Sequence, residues 1–96
     1  LIRRAQLPAL LDTYISVALH FEARDRAANE AWLKPLADHR DQIAAGVEYP
    51  FLTEMWGKNW ASAEFRVPYD AADPMAVVPE AVRVMHLLIE RTWPMI

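Results

Sequence analysis

Cysteine is absent from the 96 residues, so the chain has no disulfide framework and no cysteine metal site. Glycine is nearly absent. Gly46 and Gly57 stand alone and cannot form the glycine-rich loop that cradles a phosphate, which argues against a nucleotide site. The two serines, Ser16 and Ser62, lie outside any G-x-S-x-G elbow. Histidine occurs three times, as His20, His39 and His86. No acidic residue has a histidine three places on, and H-E-x-x-H does not occur, so neither a di-iron bundle site nor a zinc-protease site is present. No metal and no cofactor are expected.

Basic charge is also scarce. The net charge is −3, and the close basic pairs are Arg3-Arg4 and Arg24 with Arg26, the latter diluted by Glu22 and Asp25. Mixed charge of this kind is a solvated face, and a nucleic-acid binder would show a basic stripe instead. No apolar run approaches the ~20 residues that cross a bilayer, and no signal peptide is evident. A cytoplasmic protein without a membrane span is expected. Eight arginines against two lysines, with abundant alanine, fit the coding bias of a GC-rich, bacterial genome.

What the chain does have is apolar bulk. Hydrophobic residues make up 54% and charged residues 24%, a balance that argues against disorder despite seven prolines. Ninety-six residues allow one domain, spanning 1–96, with a thin core. An apolar excess in so small a domain points to a surface covered by a larger protein partner or by a second copy.

Helical spacing predicts an all-α fold of about four helices, at 7–33, 35–45, 51–63 and 79–93, with a proline-rich irregular crossover over 65–79. In the first, Leu7, Leu10, Leu11, Tyr14, Val17, Phe21 and Trp32 share a face, while Ile15 and Leu19 fall off it. Pro35 is expected to break or kink this helix, and Gly46 to stop the second. The densest aromatic stretch, Tyr49–Phe65, then forms a helix with Phe51, Leu52, Met55, Trp56 and Trp60 on an arc about 180° wide, enough for two neighbours. In the last helix Val82, Val84, Met85, Leu88, Ile89 and Trp93 face inward and Leu87 stands uncovered.

Several residues carry functional expectations. Trp32 and Trp56 pack mainly as core. The edge running through Trp56 and Trp60 to Phe65, together with Leu87 and Trp93, is the expected interface, since tryptophan is enriched where proteins meet. Asn59 and His39 are expected as buried polar groups satisfied by hydrogen bonds. His86 and Glu90, four apart on the last helix, are a solvated pair or, in the alternative, the acid/base pair of an active-site pocket. The leading expectation is therefore a small non-catalytic helical subunit or interaction domain that packs on a larger partner or forms a homo-oligomer. The alternative is an enzyme subunit or small-ligand domain using His86 and Glu90.

Overall fold

The computed structural model of the chain describes residues 13–96 and shows an α+β fold, which overturns the all-α helical bundle. The element order is β1 (Tyr14–Phe21), α1 (Arg26–Asp38), α2 (Arg40–Ala44), β2 (Phe51–Trp56), β3 (Trp60–Pro68) and α3 (Val78–Thr92). Short 3-10 turns, Pro74–Val77 and Trp93–Met95, flank α3. The strands form one antiparallel sheet in the order β1-β3-β2, with β3 in the centre. Leu7, Leu10 and Leu11, expected to open a long helix, lie outside the described residues.

Tyr14–Phe21 of the expected 7–33 helix and the whole of the expected 51–63 helix form strands instead, because their side chains alternate. In β1 the inward set is Ile15, Val17, Leu19 and Phe21, so the residues off the helical stripe are on the core face of a strand. The expected 51–63 helix is a hairpin. Phe51, Thr53 and Met55 of β2 pair with Phe65, Ala63 and Ala61 of β3. Trp56 and Trp60 pair across a three-residue turn that begins at Gly57, whose φ of +61° suits a residue without Cβ. Phe65 is fully buried and its ring centroid lies 4.8 Å from that of Phe51, a cross-strand aromatic pair.

Helices cover the inward face. Ala61 and Ala63 are fully buried on the central strand, and their small side chains let α1 approach it closely, bringing Leu33 and Leu36 onto the sheet. Asp25 starts α1 as its N-cap, accepting from the Ala27 N–H at 3.0 Å. Pro35 does not end the helix. It sits in the last turn, and its carbonyl accepts from the His39 N–H at 3.0 Å, where the helix closes. Alongside β1, α3 buries Val84, Leu88 and Thr92. Arg91 ties α3 to the end of α2, donating to the carbonyls of Ile43 and Ala45 at 2.7 Å each. Near the N-terminal end of α3, burial holds the Tyr49 hydroxyl above its ordinary pKa, with Glu80 and Glu48 adding to the effect.

The buried amide is Asn29, not Asn59. The Asn29 side chain accepts from the Ala23 N–H and donates to the Ala23 carbonyl, both at 3.0 Å, and donates to the Asn59 carbonyl at 2.7 Å. This one side chain joins the β1–α1 loop to the β2–β3 turn and has its polar groups satisfied. The side chain of Asn59 itself is exposed in the turn. His39 is also exposed, because it follows the last residue of α1, where its ring bonds the Pro35 carbonyl at 2.8 Å.

Candidate functional site

The register places a polar set on the outward face of the sheet. Across the strands stand Ser16 beside Arg66, Ala18 beside Glu64 and Leu52, His20 beside Ser62 and Glu54, and the Trp56–Trp60 pair at the end. A shallow concavity of about 300 Å³ lies on this face, lined by Tyr14, His20, Glu54, Trp56, Ser62, Glu64 and Arg66. Its floor is low at Ser62, whose side chain is small. Its ends are raised by aromatic rings.

Glu64, only 8% exposed, anchors the charges. One carboxylate oxygen accepts from the Ser16 hydroxyl, and the other accepts from Arg66 Nε at 2.8 Å. This bond raises the Arg66 guanidinium above its ordinary pKa, against the smaller opposing effect of burial. The same guanidinium lies 4.9 Å from the centroid of the Tyr14 ring, a cation–π contact. Glu54 is 3.8 Å from Arg66 Nη2, too far for a hydrogen bond, and its side chain is half exposed. At the other end Trp56 stands edge-on to His20, with centroids 5.7 Å apart, and to Trp60 at 4.6 Å. The Trp56 indole N–H is buried without a partner among the described residues.

A second surface runs along α3. Its core residues are Val77, Ala81, Val84, Leu88, Thr92 and Met95. Each is followed at once by another large residue: Val78, Val82, Met85, Ile89, Trp93 and Ile96. One residue further is about 100° round a helix, so the second set forms a separate seam. Met85 in this seam is half-buried, and the rest are exposed, Trp93 at 75% and Val82 at 51%. The sequence reading put Val82, Ile89 and Trp93 inward with the core. The sheet covers only one of the two seams, which leaves these three outside.

The expected site residues are therefore dispersed. Trp56 and Trp60 lie on the outward face of the sheet, and Trp93 lies on the α3 seam. Phe65 leaves the expected interface because it points into the core. Leu87 is half-buried between the core seam and the polar side of α3. His86 and Glu90 are both exposed on α3. Among the described residues no group of three His, Asp or Glu side chains could hold a metal ion, and no helix is long and apolar enough to cross a membrane. The residues that the helical reading missed are Tyr14, Ser16, Glu54, Glu64 and Arg66. Their signal was the alternation of Ser62, Glu64 and Arg66 with Ala61, Ala63, Phe65 and Val67. No protein-family model, curated protein or solved structure matches the chain.

Proposed function

We propose that this chain is an interaction domain that associates with a second copy of itself through the outer seam of α3. The observation that carries this reading is the row Val78, Val82, Met85, Ile89 and Trp93, spaced four, three, four and four residues apart, the spacing of a helix that packs on another helix. No charged side chain interrupts the row. A large apolar strip on a small domain marks a surface that is covered in use.

Shape and area support a second copy as the occupant. The seam is broad at its C-terminal end, with Trp93, and narrow at its N-terminal end, with Val78 and Val82. An antiparallel two-fold sets broad against narrow at both ends, which is the self-complementarity an isologous interface requires. With Met75, 73% exposed, and Ile96 at its ends, the seam presents roughly 600 Å² per copy at the ~150–250 Å² that large side chains carry. A symmetric pair then buries on the order of 1,200 Å², the lower edge of specific interfaces.

Light scattering coupled to size exclusion, at micromolar concentration, tests this. The expected mass is twice the 11.0 kDa of the chain. Val82→Glu and Trp93→Ala should each yield a monomer with an unchanged circular dichroism spectrum, since both side chains are outside the core. A wild-type chain that stays monomeric up to the solubility limit would overturn the proposal. So would a dimer indifferent to both substitutions.

A further inference from the structure

Strand β1 ends the sheet on one side, and its outer edge has no partner among the described residues. Two backbone bonds fix which groups that edge presents. The Tyr69 N–H donates to the Thr13 carbonyl at 3.2 Å, and the Arg66 N–H donates to the Pro50 carbonyl on the β2 side at 3.1 Å. Successive residues of an antiparallel strand turn their N–H and C=O groups to opposite sides. Ile15, Val17, Leu19 and Phe21 therefore bond to β3, while Tyr14, Ser16, Ala18 and His20 aim theirs outward. Native edge strands are blunted by charge, proline or a bulge. The β1 sequence YISVALHF has no Asp, Glu, Lys, Arg, Pro or Gly, and it pairs with β3 without a break. The opposite edge strand, β2, carries Glu54 and follows Pro50. The inward Ile15, Leu19 and Phe21 of β1 are only half-buried, although they pack on the core.

The outer seam of α3 lies on the same flank. α3 packs on β1. Arg91 holds one side of α3 to the end of α2. α2 in turn lies toward β2, where Arg40 donates to Thr53 Oγ1 at 3.2 Å. Ile89 and Trp93 are each two residues from Arg91, about 200° round the helix. The seam thus faces away from α2, beyond the β1 edge.

We infer that two copies of the chain also join through β1, each strand pairing antiparallel with β1 of the second copy, so that two three-stranded sheets become one continuous sheet beside the paired α3 helices. This joint rests on self-association through the α3 seam. A two-fold axis perpendicular to the sheet makes both the strand pair and the helix pair antiparallel at once. It sets inward residues of β1 beside inward residues of its copy, which covers Ile15, Leu19 and Phe21. No like charges meet across the joint, because β1 carries no Asp, Glu, Lys or Arg. The joint also adds area to a seam pair that alone stands at the lower edge of specific interfaces.

Amide hydrogen exchange followed by NMR tests this, on the wild type at a concentration where light scattering shows the dimer, and on Val82→Glu. The Ser16 and Ala18 N–H groups should exchange about tenfold more slowly, or slower still, in the wild type than in the Val82→Glu monomer. The Val17 and Leu19 N–H groups, bonded to β3, should be protected in both, which shows that the variant keeps its sheet. A dimer dissociated by Val82→Glu in which Ser16 and Ala18 exchange no more slowly than in the monomer would overturn the strand joint and leave the α3 seam intact. Slow exchange of these two amides in the monomer would also overturn it, since the edge is then satisfied within one copy. A wild-type monomer, or a dimer that Val82→Glu does not dissociate, removes the seam reading and this inference together.

Discussion

Strand β3 is buried on both faces at its centre, Ser62 and Glu64 on one side and Ala61, Ala63 and Phe65 on the other, with opposite chemistry. Ala61, Ala63, Phe65 and Val67 are buried because α1 and the neighbouring strands exclude water from them, with α3 packed alongside β1. Ser62 and Glu64, on the other side, are buried by side chains of their own sheet. The inner face stabilises the fold through apolar area, at about 25 cal/mol per Å² removed from water. The outer face exchanges water for Ser16 and Arg66, and such exchanges contribute little net stability. Low exposure on one strand therefore signifies structure on one side and a set of positioned polar groups on the other.

The sharpest way to break this symmetry is Phe65→Ala. It removes the largest buried side chain of the core beneath helices that cannot fully collapse onto the gap. We expect a loss of about 3–5 kcal/mol, seen as a lower urea midpoint. Domains of this length hold only roughly 5–14 kcal/mol in all, so the variant should be near unfolding at 37 °C. Glu64→Gln is the matching change on the outer face. It keeps the shape and the Ser16 contact but removes the charge paired with Arg66. We expect a loss of about 1.5–3 kcal/mol in the same urea titration, because Arg66 loses its charged acceptor. A cost comparable to that of Phe65→Ala would show that the outer face is structural and remove the contrast.

The smallest effect at neutral pH is expected at Tyr49, on the rim of the inner face. Its phenol is raised above the usual value chiefly by burial, then by Glu80 and Glu48. A group raised in the folded state is protonated there after it has ionised in the unfolded chain. Its stabilising effect is thus fully present below about pH 10 and is lost as pH rises through the folded value. Thermal melts of the wild type should fall in this alkaline range more steeply than those of Tyr49→Phe. Parallel curves for the two proteins would show that Tyr49 does not couple to folding.

How much of this was legible can be judged from individual residues. Ile15 and Leu19, off the helical stripe, were the visible trace of β1. The alternation was masked because Tyr14 and Ala18 make the outward side of that strand only weakly polar. In β2 and β3 the outward Leu52, Trp56 and Trp60 did the same, so alternating residues resembled a broad helical arc. A period of two is clear only when one face is polar, and this sheet carries large rings on both. Asn59, expected as a buried amide within a helix, lies exposed in the β2–β3 turn, and it is its backbone carbonyl that meets the buried Asn29.

By itself the sequence determined the features that act within a few residues. Asp25 caps a helix, Gly57 permits the turn, Pro79 suits the first turn of α3, and the apolar doublets of α3 require two seams. Tertiary structure alone decided which seam is covered, that Glu64 is buried, and that Tyr14–Phe21 is a strand. These depend on β1 pairing with β3, where Tyr14 meets Pro68 and Phe21 meets Ala61. Local backbone preference is similar for helix and strand in such segments. The hydrogen bonds and burial gained from a distant partner then settle the outcome.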